Sequence, residues 1–301
     1  MASHAYRLKA GESVPSGVAR IARGRIDHAL EELRGESSST PEEAVHEARK
    51  DMKKLRALLR LVRGEVGDRT YRRENACFRD VARELAGMRD ADVMLATLAE
   101  LERRESLAAG PLRQALEAHR LRTGAGRQAV AGAIEMLGTA RDRVAAWPLE
   151  RDSFEAFEAG LERAYRRGRR AFREVRERPT IEGLHEWRKR VKELWHHLGL
   201  LERAWPPVLG AMGAEAHELS DRLGDDHDLA VLLAWAGEHA PEVAGLDEAV
   251  ERERARLQRE ALELGARLYA DRPRAFVRRK RRWWRAEALA AERLALPHSG
   301  G

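Results

Sequence analysis

The chain has 301 residues, of which 56 are Lys or Arg and 50 are Asp or Glu, for a formal net charge of +6. This length can bury one large core or two small ones, and the single cysteine, Cys77, excludes an intrachain disulfide. No apolar run approaches the roughly 18 residues that a membrane span needs, and the start lacks the apolar segment of a secretion signal. We therefore expect a cytoplasmic protein without membrane contacts. The charge excess permits a polyanionic partner, and the placement of the charges has to decide the question.

Ala, Leu, Arg and Glu dominate the composition and β-branched residues are sparse, which predicts an all-α fold. Apolar periodicity predicts first-half helices over about 15–34, 41–63, 68–87 and 90–104, then two shorter ones after Pro111 and Thr123. Thr40 is predicted as the N-cap of the second helix, with Pro41 in its first turn. In the second half, helices are predicted over about 153–177, 180–204, 208–223 and 226–238, with two long ones around Arg272-Pro273. The Trp147-Pro148 connection divides the chain into residues 1–148 and 149–301.

The most informative feature is an internal repeat at a spacing of 139 residues, written H-E-x-R-K-x-x-K. The matching residues are His46, Glu47, Arg49, Lys50 and Lys53 in the first copy and His185, Glu186, Arg188, Lys189 and Lys192 in the second. A weaker match relates residues 85–90 to 223–228, and Arg20, Arg23 and Arg25 of the preceding helix correspond to Arg163, Arg166 and Arg169. Two related helical bundles would produce this order.

The spacing gives each motif helix one cationic face and one apolar face. At about 100° per residue, the motif cations of the first copy share a face with Arg60, opposite Leu55, Leu58, Leu59 and Val62. In the second copy they share it with His196, opposite Trp187, Val191, Leu194, Leu198 and Leu201. Glu47 and Glu186 are predicted on the flank. Because like charges at this spacing repel each other, the cationic face indicates contact with an anion, and Arg and Lys are well suited to phosphate oxygens.

These motifs resemble the CHAD family, the conserved-histidine α-helical domain. The resemblance rests on the paired motif helices, the segments Gly87–Val93 and Leu223–Leu229, and the basic-aromatic segment Arg281–Arg285, and it spans roughly residues 13–296. It implies two pseudo-two-fold-related four-helix bundles with a basic central channel or cleft, the two halves forming one CHAD domain. It also implies binding of inorganic polyphosphate and location on polyphosphate granules. A separate hypothesis is a scaffold whose exposed outer helices dock granule-associated proteins, and no cofactor is expected.

The resemblance carries binding roles onto the eight His, Arg and Lys residues of the two motifs. Less directly, it adds Arg89, His227 and the arginines of the preceding helices, Arg20, Arg23, Arg163, Arg166 and Arg169. The second copy departs from the first at Glu193, where the first has Lys54, and at Trp195, where the first has Arg56. The two halves are therefore expected to bind with unequal strength.

Catalysis and nucleic-acid binding are the alternatives. Each motif begins like the zinc motif H-E-x-x-H, but Lys50 and Lys189 stand where the second histidine is required. The cluster 225–228 with His227 could serve a metal-dependent phosphohydrolase acting on polyphosphate or nucleotides, whereas acidic caps at a helix start explain Asp225 and Asp226 as well. We expect no enzyme and no metal site. Nucleic acid is the rival ligand, because Trp283-Trp284 could stack on bases, although a division between core and rim is the commoner role of such a pair.

Overall fold

The computed structural model describes residues 5–86, 90–105, 107–122, 127–240 and 243–295. Within these ranges the chain forms eleven α-helices and no β-strand, which confirms the predicted all-α fold. The helices are α1 (Val14–Leu33), α2 (Pro41–Leu61), α3 (Arg63–Glu84), α4 (Asp90–Glu105), α5 (Gly110–Arg122), α6 (Arg127–Arg143), α7 (Glu155–Glu177), α8 (Ile181–Leu200), α9 (Pro206–His239), α10 (Leu246–Leu268) and α11 (Pro273–Ala295). None of the described helices is long and apolar enough to cross a membrane.

The two motif helices, α2 and α8, begin in the same way. The Thr40 hydroxyl accepts a hydrogen bond from the Glu43 backbone N–H at 3.3 Å, and the Glu43 carboxylate accepts one from the Thr40 N–H at 2.8 Å. At the start of α8, the Thr180 hydroxyl accepts from the Gly183 N–H at 3.0 Å. These bonds satisfy amides that the first helical turn leaves unpaired, so the predicted cap at Thr40 is confirmed.

One predicted boundary is wrong. The sequence predicts separate helices over 208–223 and 226–238, but α9 runs without interruption from Pro206 to His239. Asp226 lies in the middle of this helix, 1% exposed, and accepts hydrogen bonds from Arg254 at 3.0 Å and Gln258 at 2.7 Å, both on α10. Asp225 and Asp226 are therefore not helix caps. Packing against α10 stabilises helical structure where the local Gly-Asp-Asp signal favours a turn.

The main hydrophobic core joins two groups of helices. In the first group α1, α2, α3 and α6 pack together, and in the second α7, α8, α9 and α10 do so, with α11 packed along α7. Helix α2 also contacts α7 and α8. A side chain at Gly160 of α7 would clash with the carbonyl of Leu61 at the end of α2, so this glycine permits a close approach of the two groups. As a result, α2 and α8 lie beside each other.

A smaller core forms at the far end of α9. Helix α4 packs against α5, α9 and α10, and the buried side chains include Leu98, Leu116, Leu232 and Val250. Helices α4 and α5 thus precede residue 148 in the sequence but are supported by helices that follow it. The division at residue 148 and the pseudo-two-fold relation stay predictions.

Candidate anion-binding cleft

A cleft of about 550 Å³ lies between α2 and α8. Its lining contains seven Lys or Arg side chains, two histidines and two glutamates. The lining residues are Lys53, Arg56, Ala57 and Arg60 from α2 and His185, Glu186, Arg188, Lys189, Arg190, Lys192, Glu193 and His196 from α8. The cleft therefore concentrates positive charge contributed by both copies of the repeat.

The structure divides the predicted site residues into two sets. Lys53, Arg60 and all five predicted residues of α8 line the cleft, whereas His46, Arg49 and Lys50 lie on α2 outside its lining. Sequence reasoning missed Arg56 and Arg190. Both could have been found by asking which residues flank the cationic stripe on each motif helix, since each lies within one turn of a predicted cation.

Helix α9 packs against α8 beside the first residues of the second motif, and we call this contact the seam. The rings of His185 and His227 have centroids 4.3 Å apart, which brings a residue of the 225–228 cluster against the second motif. The Arg188 guanidinium lies against Gly224, where an added Cβ would be 2.7 Å from its nitrogen. The Nδ1 atoms of His185 and His227 and the Nε of Arg188 are buried without a hydrogen-bond partner among the described residues. Unsatisfied buried polar atoms are costly, so this seam holds three nitrogens that no described group compensates.

Burial and neighbouring cations keep the cleft histidines neutral. Burial lowers the pKa of His185 to about 4, aided by His227, Lys189 and Arg188. Burial also lowers the pKa of His196 well below its usual value, with Lys54 contributing, and burial together with Arg188 lowers the pKa of Lys192. All three shifts express the cost of gathering cations away from water. A bound anion would oppose these shifts, because its negative charge favours the protonated form of each group.

Two carboxylates partly neutralise the cleft. Glu193, only 5% exposed, lies 3.3 Å from Arg190 and 3.8 Å from Arg60. Glu186 pairs with Arg190 and, at 3.4 Å, with Lys189, and it lines the cleft. These ion pairs hold the arginine side chains in place in the absence of a ligand.

A different charge cluster stands behind the first motif. The carboxylate of Asp51, 1% exposed, lies 3.0 Å from Arg25, 2.6 Å from the Nδ1 of His28 and 3.6 Å from Lys54. The hydrogen bond to Asp51 raises the pKa of His28. Asp51 occupies the repeat position that Arg190 has in α8. Helix α2 therefore has a buried negative charge at the position where α8 has a positive charge that lines the cleft.

The predicted arginines of α1 and α7 lie apart from the cleft lining. Their contacts are local: Arg20 pairs with Glu12 at 2.6 Å, Arg166 with Glu162, Arg169 donates to the Tyr269 carbonyl at 3.1 Å, Arg163 donates to the Arg60 carbonyl at 3.4 Å, and Arg23 is exposed. Arg89 lies outside the described residues. The cleft lining therefore includes none of these five arginines of α1 and α7, and their binding role stays a prediction.

The sequence also raised a metal site, a base-stacking tryptophan pair and a reactive cysteine as alternatives. No group of three or more His, Cys, Asp or Glu in the described ranges is arranged to hold a metal ion. Trp284 is buried, with its ring 5.9 Å from Phe154 and 5.8 Å from Phe157, while Trp283 is only partly buried beside the core. The adjacent tryptophans thus divide between core and rim. Burial raises the pKa of the Cys77 thiol, which opposes formation of a reactive thiolate.

Fold and cleft define an all-helical protein that presents a cationic groove built from two copies of one motif. A family model described as the CHAD domain matches residues 20–237, and the chain belongs to that family. The crystal structure of the CHAD domain from the plant Ricinus communis is similar in fold, with a TM-score of 0.57 and 19% identity over 91% of this chain and 94% of that chain. No curated protein matches the sequence.

Proposed function

We propose that the cleft between α2 and α8 binds inorganic polyphosphate. The observation that carries this proposal is the lining itself, where seven Lys or Arg side chains face one space of about 550 Å³ together with only two carboxylates. Phosphate oxygens accept hydrogen bonds from all of these cations. A phosphate polymer presents a continuous row of such oxygens along the cleft. Membership of the CHAD family, which is associated with polyphosphate, supports the same ligand.

The chemistry of the cleft favours bare phosphate over nucleic acid. Apart from the two histidines, its lining contains no aromatic side chain, whereas single-stranded nucleic acid is usually held by bases stacked on aromatic rings. The role is binding without catalysis, with the protein held at polyphosphate granules through the polymer.

The test compares ligands at equal phosphate concentration and physiological salt. We expect long-chain polyphosphate to bind more tightly than single-stranded or duplex DNA, with an affinity that falls steeply as salt rises. The double variant Arg188→Ala/Lys192→Ala should weaken polyphosphate binding at least tenfold, since each lost charged hydrogen bond is worth about 1.5–3 kcal/mol. Equal or tighter binding of DNA would remove the preference for polyphosphate.

A matched control separates the cleft from general surface charge. Arg278 and Arg282 are exposed on α11, so Arg278→Ala/Arg282→Ala removes the same net charge outside the cleft. This control should change the affinity less than threefold. If both double variants weaken binding equally, the cleft is not the site. Release of phosphate from polyphosphate in the presence of Mg²⁺ or Mn²⁺, abolished by His227→Ala, would instead establish the hydrolase.

A further inference from the structure

Helix α11 presents a basic face that lies outside the cleft. The helix contains eight Lys or Arg residues and two Glu. Its side towards α7 is neutralised by ion pairs, such as that of Arg281 with Glu158 at 3.2 Å. Arg278 and Arg282 are exposed on the outer side, about 6 Å apart along the axis. Within the part of the chain that the structure describes, neither has an ion-pair or hydrogen-bond partner. Two guanidinium groups therefore face solvent one helical turn apart.

An exposed tryptophan lies beside this basic face. Trp205 is 46% exposed, and its ring packs nearly at right angles to that of Trp283 on α11, with centroids 5.0 Å apart at 82°. The Nζ of Lys280 lies 4.7 Å from the centroid of the Trp283 ring. Trp205 also precedes Pro206, which restricts its backbone to extended conformations, and its φ is −166°. The Trp205 ring is therefore fixed in place while much of it stays open to solvent.

The helical register brings the ring and the arginines together. Arg281 and Trp283 lie about 100° to either side of Arg282 around α11. Because Arg281 faces α7, Trp283 and the Trp205 ring that packs on it lie along the opposite edge of the basic face. Single strands of nucleic acid bind to this kind of arrangement, in which phosphates meet cations and a base stacks on an aromatic ring.

We infer that α11 and Trp205 form a second site, which binds single-stranded nucleic acid with phosphates on Arg278 and Arg282 and a base on Trp205. None of these three residues lines the cleft. The inference therefore goes beyond the proposed function and does not rest on it. It assigns the chain two anion sites that recognise different chemistry, with bare phosphate in the cleft and a phosphate strand with bases on α11.

Other polyanions fit this face less well. Polyphosphate has no base to stack on the ring, and the bases of duplex DNA are already stacked on one another. A helix that binds a membrane surface buries its apolar face among the lipids. The apolar face of α11, with Phe276, Val277 and Trp284, is instead buried in the main core. A single strand is the ligand that uses both the arginines and the exposed ring.

The experiment compares labelled oligodeoxythymidine with an abasic deoxyribose-phosphate chain of the same length, which has the same charge without bases. Fluorescence anisotropy measures both Kd values. We expect the wild type to bind the oligonucleotide about tenfold more tightly, as stacking of one base predicts. Trp205→Ala should remove this preference by weakening the oligonucleotide alone, and Trp205→Phe should retain most of it. Circular dichroism and Tm establish that each variant is folded.

The arginines are tested by the salt dependence of binding. Arg278→Ala/Arg282→Ala should weaken both chains and lower the slope of log Kd against log salt by about 1.4, because each lost phosphate contact on a single strand accounts for about 0.7. Arg69→Ala/Arg72→Ala removes the same charge from exposed positions on α3, which packs against α2, α6 and α7. This control should leave the slope unchanged.

Two further controls concern the ring and the cleft. Leu121→Ala truncates a side chain that is 84% exposed on α5, and it should leave the preference for the oligonucleotide unchanged. The cleft variant Arg188→Ala/Lys192→Ala should also retain that preference, because the bases meet a ring outside the cleft.

Equal wild-type affinity for the oligonucleotide and the abasic chain overturns the inference. So does loss of oligonucleotide binding in the cleft variant but not in Arg278→Ala/Arg282→Ala. Vesicles containing phosphatidylserine that bind through α11, with no binding of the oligonucleotide, would also overturn it and assign the face to a membrane. If polyphosphate fails to bind while the oligonucleotide binds through Trp205, the proposed function fails and this site stands.

Discussion

The two copies of the motif share their residues and spacing but not their surroundings. In α8 the motif cations line the cleft, where His185 and Arg188 have unpaired buried nitrogens. In α2 the cluster around Asp51 holds Arg25, His28 and Lys54 behind the stripe, and Lys50 pairs with Glu47 at 2.8 Å. Both copies therefore contribute cations to the cleft, but among the described residues only the first copy has a buried carboxylate, Asp51, packed behind its motif helix face. What a cationic stripe does depends on the charges that pack behind it.

The largest expected effect concerns stability and the first copy. Asp51→Ala leaves Arg25 buried without its carboxylate partner, which is 3.0 Å away. We expect a loss of about 3–5 kcal/mol in the free energy of unfolding, measured by urea denaturation. Arg190→Ala, at the equivalent position of α8, should cost less than half as much, because Arg60 still faces Glu193 at 3.8 Å. Equal losses would contradict the assignment of a structural role to the first copy.

The next effect concerns binding. Arg188→Ala removes a cleft cation, and Arg49→Ala removes the matching residue of the first copy, which lies outside the cleft lining. We expect the Kd for polyphosphate to rise about tenfold or more for Arg188→Ala, as charged hydrogen bonds predict, and less than threefold for Arg49→Ala. Fluorescence anisotropy with labelled polyphosphate would measure both. A larger effect at Arg49 would reverse the comparison.

The two halves should respond oppositely to pH. His28 has a raised pKa because of its hydrogen bond to Asp51, so its stabilisation is fully present below about 6.5, the unfolded value, and is lost as pH rises through the folded pKa. His185 has a pKa lowered to about 4 by burial and by His227. Its protonation therefore costs stability as pH falls from about 6.5 towards 4.

Denaturation at pH 4.5 and pH 8.5 would measure this difference, which we expect to be smaller than the Asp51 effect. His28→Ala should lose more stability at pH 4.5 than at pH 8.5. His185→Ala should lose less stability at pH 4.5 than at pH 8.5, or gain some, because it removes a group that resists protonation. Parallel pH profiles for the two variants would show that the two environments do not differ in this way.

The smallest expected effect is on stability, and it should be the same in both copies of the motif. Lys50 and Lys189 are partly exposed and pair with Glu47 and Glu186 at 2.8 Å and 3.4 Å. Such surface pairs contribute about 0–1 kcal/mol, so Lys50→Ala and Lys189→Ala should each change the free energy of unfolding by less than about 0.5 kcal/mol. A loss above about 2 kcal/mol in either variant would mean that its stripe has a structural role that the geometry does not indicate.

Sequence reasoning predicted what depends on local pattern. The apolar and cationic faces of α2 and α8 and the cap at Thr40 follow from helical periodicity and capping chemistry, and they are present in the fold. Sequence reasoning missed what depends on which helices meet. The contact of His185 with His227, the buried Glu193 and the binding of Asp226 to α10 are set by tertiary packing. Periodicity alone could not place Arg49 outside the cleft lining and Lys53 within it.

The uninterrupted course of α9 has a consequence for cooperativity. With 34 residues, α9 contributes Leu209, Leu219 and Leu223 to the main core and Leu229 and Leu232 to the smaller one. Because the two cores share α9, unfolding of either core would expose apolar side chains of a helix that still packs in the other core. We therefore expect the chain to unfold in a single transition. Gly224→Pro would interrupt α9 between the two cores, and we expect it to divide the unfolding into two transitions.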